Sequence, residues 1–504
     1  MWRVRLEKTG KFFEINKNDA PAFCSAAIIV FSAVIIFSKI SLNALNYFDD
    51  AYYAEKAKEI LTTGDMWLVH FAGNVTYDNP PLHFWITALF LKIFGINEFG
   101  VRFPSAIFVL MTMILCYRMA VFVFNDRWAG FFSVFTISTT YFFVGYAFRG
   151  MLDVQLVFFE MLSIYLFMLA MEKRSLFFYA IAGVFTGFAI LTKSVLGAYP
   201  IAVLGLYFLA AGKWRRLFSP GFLLYVFAAL AAASPWYIFN FMHGRGEFLR
   251  VHFGDIIGGM AGNISGGTRF KPGYILALFS YGLPWMPVAI YGSYEMARRE
   301  WNKNPDNFFL IIIIWAWLII IGLSFTDIIK TWYIMPAFVA CALISGYLLS
   351  VILKNNEKFV KTAMITYALT AFVIVMLPID LNGHRSNDVK TLAPFVKALV
   401  PPGCNVINYK MGYWQVQNPL IFYSGVSFSD SIEDPDMLIA ELQKGGIAMA
   451  ETEELEGGLK PYRDKIYVIA VADNKALLCL KSGDIFLKQL YNIKLPDKLF
   501  VKYD

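Results

Sequence analysis

Long runs of apolar residues recur between residues 22 and 379, and they restrict this chain to a membrane. About 20 consecutive apolar residues form a helix long enough to cross a hydrocarbon core of roughly 30 Å. Of the 504 residues, 58% are hydrophobic and 16% are charged, whereas soluble domains carry about 25% charged residues. The sequence therefore predicts an all-α polytopic membrane domain.

We expect about eleven transmembrane helices, or twelve to thirteen if shorter segments also span, together with juxtamembrane helices. The predicted spans are 22–42, 103–124, 128–148, 152–171, 176–192, 195–211, 220–242, 273–296, 307–326, 332–353 and 362–379. The apolar segment Pro80–Gly95 is shorter, contains Lys92 and begins with two prolines. A segment of this kind favours a position at the membrane interface.

The net charge of +7 is distributed in short basic clusters between the apolar runs. Cytoplasmic loops are enriched in Lys and Arg, so membrane topology explains this charge and no nucleic-acid partner is expected. Placing the clusters inside leaves three segments outside: the loops 43–102 and 243–272, and the tail 381–504. This arrangement requires that Pro80–Gly95 does not span the membrane.

The tail has the composition of a small soluble α/β domain, so we divide the chain into a transmembrane domain, 1–380, and an extracytoplasmic domain, 381–504. Helical spacing predicts helices at 387–399 and 435–443, and strands are predicted at 405–409 and 465–471. Cys404 and Cys479 could form a disulfide if the tail meets an oxidising compartment.

Acidic residues stand at two of the predicted outer junctions. Asp49 and Asp50 open a helix, where an aspartate can simply cap the first amides. Arg149 and Asp153 are four residues apart, which allows a purely structural ion pair. Glu160 lies deeper in a span, where an ionised acid costs about 2.5–3.5 kcal/mol and therefore needs a partner or a cavity.

Cations gather on the same predicted face as these acids. They are Arg149, Lys193, Arg250 and Lys330. A carboxylate can remove a proton from an acceptor hydroxyl, and cations can hold and neutralise a departing phosphate. Acids and cations on one membrane face therefore indicate chemistry on a sugar that is linked to a lipid phosphate.

Several motifs in residues 40–350 resemble those of polyprenyl-phosphate-sugar glycosyltransferases of the GT-C type. They are Asp49–Glu55, Gly64–Trp67, Asn79–Trp85, Asn97–Ala106, Arg149–Asp153, Thr192-Lys193 and Lys330–Pro336. As a set the motifs are specific, although each alone is weak. The resemblance is strongest to the bacterial lipid A aminoarabinose transferase branch, with the protein O-mannosyltransferases more distant.

The resemblance implies roles for individual side chains. It implies catalytic roles for the carboxylates of Asp49, Asp50 and Asp153. Residues implied to bind the lipid phosphate are Tyr53, Arg149, Lys193, Arg250, Lys330 and Tyr333. Relatives place a histidine near His252, which with the acid at position 78, here Asp78, can bind a divalent metal, the one cofactor implied.

Two departures from the aminoarabinose pattern bear on the donor sugar. Asp78-Asn79-Pro80 stands where those enzymes have Glu-Lys-Pro, and Tyr52 stands where they have a basic residue. The loss of two cations favours a different sugar.

The resemblance implies an inverting transfer from a polyprenyl-phosphate sugar to a hydroxyl or phosphate of lipid A or a similar glycolipid, with Asp49 as general base. The expected location is the bacterial inner membrane, with the active site and the tail facing the periplasm and membrane lipids as partners. Alternatives are a protein or another glycan as acceptor, a lipid-linked sugar transporter, or a receptor that binds through its tail.

Overall fold

A computed structural model describes residues 2–4, 13–15, 19–255, 270–300, 308–325, 330–379, 381 and 386–481. Residues 256–269 of the predicted loop 243–272 lie outside the described residues, as do residues 482–504 of the predicted tail domain. Helices dominate the rest of the chain up to residue 376.

The first part of the chain contains fifteen α-helices in the described residues. They are α1 (Ala20–Lys39), α2 (Asp49–Thr63), α3 (Leu82–Phe94), α4 (Glu98–Phe124), α5 (Arg127–Thr139), α6 (Tyr141–Gly145), α7 (Asp153–Lys173), α8 (Leu176–Gly197), α9 (Tyr199–Ala210), α10 (Pro220–Phe248), α11 (Gly273–Gly282), α12 (Trp285–Glu300), α13 (Phe308–Leu323), α14 (Met335–Leu353) and α15 (Glu357–Met376). Short 3-10 turns occur at Tyr146–Phe148, Trp214–Phe218 and Thr331–Ile334, and a π-helical turn at Leu249–Asp255.

Seven described helices are long and apolar enough to cross a membrane, or up to nine if each of two bent helix pairs counts as one span. Three shorter apolar helices, α3, α9 and α13, accompany them. The chain is therefore a multi-pass membrane protein. Each predicted span overlaps at least one helix, but the predicted count of about eleven needs α9 and α13 to span as well and stays a prediction.

Two predicted spans are bent instead of continuous. The axes of α5 and the following segment, Tyr141–Phe148, differ by 62°, and those of α11 and α12 differ by 108°. The second bend lies at Leu283-Pro284. Proline disfavours the helical conformation of the residue before it, so the helix is interrupted at Leu283. Apolar composition alone does not register such breaks.

Burial separates central helices from peripheral ones. The spans Asp153–Lys173 and Thr331–Leu353 are each 78% buried, whereas Glu357–Met376 is 11% buried. Helices α7 and α14 therefore form the centre of the bundle, and α15 lies at its edge. Asp153, at the start of the first of these spans, is consequently buried, whereas Tyr333, near the start of the second, is half-buried.

The connection between α1 and α4 contains the elements that carry the first acidic motif. Helix α2 begins at Asp49, with Phe48 as its N-cap, and it ends at Gly64 in the left-handed conformation with a φ of 75°. A hairpin of β3 (Val69–Phe71) and β4 (Asn74–Thr76) follows. Helix α3 then starts directly after Pro80-Pro81, so most of the segment Pro80–Gly95 is helical.

A five-stranded sheet forms the centre of the C-terminal region. Its strands are β5 (Val406–Tyr409), β6 (Phe428–Ile432), β7 (Ala448–Glu451), β8 (Ile466–Ala472) and β9 (Lys475–Leu480). Their order is β6-β5-β7-β9-β8, with β5 parallel to β6 and β7 and the remaining pairs antiparallel. The helices of this region are α16 (Asn387–Leu399), α17 (Tyr413–Ser424), α18 (Pro435–Gln443) and α19 (Thr452–Glu456), and two short strands, β1 (Trp2–Val4) and β2 (Phe13–Ile15), pair near the start of the chain. The two helices and two strands predicted here are present, whereas α17 was not predicted. Cys404 and Cys479 are both free thiols, so the structure does not contain the disulfide considered above.

Helix α17 attaches the C-terminal region to α2. Lys58 donates hydrogen bonds to the backbone oxygens of Ile421 and Phe422. The hydroxyl of Tyr423 accepts from the Leu45 amide at 2.8 Å and donates to Glu98 at 2.7 Å. Phe422 also belongs to the apolar core of the helical part. These contacts fix α17 beside the start of α2, where Asp49 lies.

Candidate active site

A cavity of about 190 Å³ joins the first acidic motif to cations from distant parts of the chain. It is lined by Asp49, Tyr52, Tyr53, Asp78, Asn79, Lys193, Ser194, Val195, Leu196, Lys330, Trp332 and Tyr333. We call it the acid–lysine cavity. Six of the residues predicted for the site line it: Asp49, Tyr53, Asp78, Lys193, Lys330 and Tyr333. The cavity is therefore the candidate active site.

Asp49 owes its position to the start of α2. It is the first residue of that helix, where a carboxylate is stabilised by the helix dipole. Burial raises the pKa of Asp49, with Lys193 and Lys330 opposing that rise and Asp153 and Asp78 adding to it. A carboxyl with a raised pKa and two cations nearby is suited to accept a proton.

Lys193 reaches the cavity from a break in α8. The backbone of Lys193 and Ser194 leaves the helical conformation, and Ser194 has a φ of 47°. The ammonium of Lys193 donates a 2.5 Å hydrogen bond to Asp153 Oδ1 and lies 4.5 Å from the centre of the Tyr333 ring. The predicted boundary between two helices at this point is therefore a kink, and Lys193 and Ser194 at this kink line the cavity.

Asp153 is 1% exposed and supplies the anion that holds Lys193. Its second oxygen, Oδ2, has no hydrogen-bond partner among the described residues. Asp153 does not line the acid–lysine cavity, but it lines the adjoining small space together with Trp332, Tyr333 and Glu160. Asp153 thus contacts Lys193, which lines the acid–lysine cavity, but does not line that cavity itself.

His252 supports the kink at Ser194. Its Nε2 lies 3.0 Å from Ser194 Oγ, and its Nδ1 lies 2.7 Å from the backbone oxygen of Tyr77. A carbonyl oxygen only accepts hydrogen bonds, so Nδ1 carries the proton and Nε2 accepts from the serine hydroxyl. His252 therefore connects the segment before Asp78 to the backbone that carries Lys193.

Lys330 and Tyr333 flank the other side of the cavity on the turn before α14. The backbone amide of Lys330 donates to the Tyr274 hydroxyl at 3.1 Å, and its side chain is exposed. The Tyr333 amide donates to the Lys330 carbonyl at 3.0 Å. Tyr53 is buried against His83 and Phe84. Lys330 and the tyrosines Tyr53 and Tyr333 therefore line the same cavity as Asp49.

Sequence reasoning missed Lys56, one turn after Tyr52 on α2. Lys56 is completely buried and forms an ion pair with Asp78, which also accepts a 3.1 Å hydrogen bond from the Tyr52 hydroxyl. Burial by itself would raise the pKa of Asp78. The positive charge of Lys56, its hydrogen bond and the hydrogen bond from the Tyr52 hydroxyl outweigh burial, so the pKa of Asp78 is lowered. The i, i+4 spacing of Tyr52 and Lys56 places both on one face of α2, and this spacing could have indicated that Lys56 lies near the site.

Asp50 does not line the cavity and lies on a different face of the start of α2. Its carboxylate accepts from the Gly150 amide at 2.6 Å and from the Asn46 amide at 2.9 Å, and it lies 3.5 Å from the Arg102 guanidinium. Arg102 also donates to four backbone oxygens between residues 40 and 44. This geometry favours a positioning role for Asp50 at the start of α2, and the catalytic role implied by the resemblance stays a prediction.

Two predicted phosphate ligands do not line the cavity. The Arg149 guanidinium lies 5.2 Å from the centre of the Tyr146 ring, and Asp153, its predicted partner, pairs with Lys193 instead. Arg250 is exposed on the π-helical turn. Glu160 is fully buried, and neither of its oxygens has a hydrogen-bond partner among the described residues.

The residues predicted to hold a metal do not fit one. Both ring nitrogens of His252 are engaged, and Asp78 is paired with the Lys56 ammonium. Within the described ranges, no group of three or more His, Cys, Asp or Glu residues could hold an ion. Metal ligation by Asp78 and His252 stays a prediction that this geometry does not favour.

Several known proteins are similar to this chain in sequence. The sequence profile of the dolichyl-phosphate-mannose-protein mannosyltransferase family matches residues 78–239. An uncharacterized protein of Aquifex aeolicus is 24% identical over 73% of this chain and 71% of its own length. The undecaprenyl phosphate-alpha-4-amino-4-deoxy-L-arabinose arabinosyl transferase of Pseudomonas aeruginosa is 26% identical over 71% of this chain and 66% of its own length.

The fold has a solved counterpart. The crystal structure of ArnT from Cupriavidus metallidurans bound to undecaprenyl phosphate superposes with a TM-score of 0.72, at 18% identity, over 91% of this chain and 98% of that one. The family profile, the relatives and the superposed fold together support a polyprenyl-phosphate-sugar glycosyltransferase of the GT-C type. The mostly helical GT-C fold and the glycosyltransferase class expected from the sequence are thereby confirmed. The chain spans about two thirds of the length of the Pseudomonas relative.

Proposed function

We propose that this GT-C protein transfers a sugar from a polyprenyl-phosphate donor to a hydroxyl or phosphate of lipid A or a similar glycolipid. The reaction would take place at the outer face of the bacterial inner membrane. The observation that carries the proposal is that Asp49 shares one cavity with Lys193 and Lys330. An acid and two cations in one cavity provide a base for the acceptor and countercharge for the donor phosphate.

The proposed step is an inverting displacement. An acceptor hydroxyl attacks the anomeric carbon while Asp49 takes its proton, and a new bond forms between the acceptor oxygen and that carbon. The bond from the anomeric carbon to the phosphate oxygen breaks, and its electron pair leaves with polyprenyl phosphate. Lys193 and Lys330 stabilise the negative charge that develops on the phosphate.

Neighbouring residues would position these groups. Asp153 holds the Lys193 ammonium, and Tyr333 lies beneath that cation at 4.5 Å. Tyr53 lines the cavity beside Asp49. Such contacts would hold the donor phosphate at a defined position relative to the base, which is the main requirement of a displacement reaction.

The donor sugar is proposed to differ from aminoarabinose. Asn79 lines the cavity where the aminoarabinose pattern has a lysine, and Tyr52 donates its hydroxyl hydrogen to Asp78 where that pattern has a base. The remaining buried cation, Lys56, is neutralised by Asp78. These substitutions give the sugar side of the cavity neutral hydrogen-bonding groups in place of free cations.

The orientation of the protein is inferred from charge. Basic residues of the loops before α5, after α7 and after α9 occur on the predicted cytoplasmic side. The acid–lysine cavity would then open to the periplasm, and the C-terminal region, which is attached to α2, would lie on that side too.

A protein acceptor is the second candidate. It is favoured by one observation, the match of residues 78–239 to a family named for transfer of mannose to protein. The active-site geometry is the same for both candidates, because a serine or threonine hydroxyl needs the same base as a sugar hydroxyl.

The test uses purified full-length protein in lipid nanodiscs with a panel of undecaprenyl-phosphate sugars, including 4-amino-4-deoxy-L-arabinose, and with lipid A as acceptor. Release of undecaprenyl phosphate is measured for the wild type and for Asp49→Asn. We expect the variant to lose at least about a hundredfold in kcat, as is typical when a general base is removed. Asp430→Asn, an exposed carboxylate on β6, is the matched control. Full transfer by Asp49→Asn would remove Asp49 from the mechanism.

A further inference from the structure

A second cavity, of about 450 Å³, shares Asp49 and Tyr52 with the acid–lysine cavity. We call it the aromatic cavity. It is lined by Tyr47, Phe48, Asp49, Tyr52, Phe71, Tyr413, Gln417 and Asn418. Asp49 therefore stands where two cavities of different chemistry meet. The acid–lysine cavity contains the cations proposed to bind the donor phosphate. Binding of the donor leaves the aromatic cavity without an assigned role.

The C-terminal region supplies part of the aromatic cavity. Tyr413, Gln417 and Asn418 belong to α17, which is fixed on α2 by the hydrogen bonds of Lys58. The side chain of Asn418 donates to the Tyr47 carbonyl at 3.2 Å. The hydrogen bond between Asn418 and Tyr47 thus joins the two walls of the cavity, so the packing of α17 on the helical part of the chain forms the cavity.

The lining of the aromatic cavity favours a neutral and partly apolar ligand. It contains five aromatic rings, two amides and the Asp49 carboxylate. Among the residues that the structure describes, none of those lining it is Lys, Arg or His. Binding sites for phosphate normally present cations or several backbone amides, whereas aromatic faces with a few amides suit a ring that is apolar on its faces and polar at its edges.

We infer that the aromatic cavity binds the acceptor, and that the acceptor presents a hydroxyl of a neutral sugar residue to Asp49. This inference rests on the proposed function and narrows it, because the acceptor group becomes a sugar hydroxyl and not a phosphate. The hydroxyl oxygen bonds to the anomeric carbon of the donor, its proton passes to Asp49, and polyprenyl phosphate leaves toward Lys193 and Lys330.

The position of Asp49 is consistent with this assignment. A hydroxyl must lose its proton as it attacks, so it needs a base at the point where acceptor and donor meet. A phosphate acceptor is already ionised at neutral pH and needs none. The negative charge of a phosphate acceptor would also be repelled by the carboxylate of Asp49 in the aromatic cavity.

Binding of each ligand can be measured without turnover. Full-length protein in nanodiscs is titrated with two probes, a dephosphorylated lipid A disaccharide and the same lipid with both phosphates, and separately with undecaprenyl phosphate. We expect the dephosphorylated form to bind more tightly. Phe48→Ala and Tyr413→Ala are expected to raise its Kd about tenfold, as truncation of a central aromatic contact commonly does, and to leave the Kd of undecaprenyl phosphate unchanged.

The controls separate this inference from the proposed function. Phe48 is 54% exposed, so its truncation removes a ligand contact with little loss of packing. Tyr467→Ala removes a tyrosine that is 39% exposed on β8 of the same region, and it should change neither Kd. Tighter binding of the phosphorylated lipid, or unchanged Kd values in both cavity variants, would overturn the inference. Such a result would leave the dependence of transfer on Asp49 intact.

Discussion

Lys193 and Asp153 form an ion pair of 2.5 Å although 40 residues separate them in the chain. The pair connects the kink of α8 to the first turn of α7, the most central helix together with α14. An ammonium that is largely buried needs an anion nearby. Asp153 meets this need and leaves Lys193 oriented beside Asp49, so the ion pair is what places a cation in the acid–lysine cavity.

The backbone at Ser194 is predicted to be strained. A residue with a side chain rarely adopts a φ near 47° with a ψ of −123°, and such a conformation costs about 1–3 kcal/mol. Glycine adopts it freely. Ser194→Gly should therefore be more stable than Ser194→Ala by about 1–2 kcal/mol, since both lose the hydrogen bond to His252. Thermal unfolding of the detergent-solubilised variants measures this, and equal midpoints would show that the kink carries no strain.

The pH dependence of transfer should report the cations around Asp49. Burial raises the pKa of Asp49, and Lys193 and Lys330 oppose that rise. A general base acts when ionised, so kcat/KM increases as pH rises through this pKa. Lys330→Met removes one opposing cation, raises the pKa of Asp49 further and should move the acidic limb to higher pH. Lys444→Met, whose side chain is 69% exposed on the C-terminal region, is the control. A limb that stays in place would contradict the assignment of Asp49 as the base.

Asp50 is predicted to act on stability. Its carboxylate is 2% exposed and lies beside Arg102, which is completely buried. Asp50→Asn leaves the guanidinium without its anion, and removal of one member of a buried pair costs roughly 3–5 kcal/mol. We expect a lower unfolding temperature with the acidic limb of kcat/KM unchanged in the surviving protein. A variant with wild-type stability and no activity would restore the catalytic role predicted from the sequence.

Lys56 and Asp78 should be coupled energetically. Asp78→Asn leaves the fully buried Lys56 without an opposite charge, and Lys56→Met leaves the half-buried Asp78 without one. The double variant removes both charges, so its loss of stability should be smaller than the sum of the single losses by about 1–3 kcal/mol. The exposed pair of Lys444 and Glu441 provides a comparison cycle, for which at most about 1 kcal/mol is expected. Additive losses at Lys56 and Asp78 would show that the pair contributes nothing.

Several parts of the site were accessible to sequence reasoning because their signals are local. The paired acids of Asp49–Glu55 and the break at Lys193 were recognised where the structure has them. Lys330 and Tyr333 were also recognised, on the turn before α14. Short motifs and helix boundaries depend on neighbouring residues, and these can be read along the chain.

Other features depend on contacts that spacing cannot reveal. Arg149 and Asp153 have the spacing of a helical pair, yet the helix begins only at Asp153, so Arg149 is not on its face. Asp49 and Asp50 are adjacent and have the same chemistry, but successive residues of a helix point about 100° apart. The one faces the cavity and the other faces Arg102. The sequence therefore could not show which of the two acids lines the cavity, because this depends on how the helices pack.

The sequence alone determined that this chain crosses a membrane several times and carries acids and cations in the connections, because the length of an apolar run and the charge beside it are local quantities. The tertiary structure alone decided that Lys193 pairs with Asp153, that Lys56 neutralises Asp78, and that α17 forms a wall beside Asp49. These relations join residues far apart in the chain, and buried charges are paired by whichever group the packing of helices brings near.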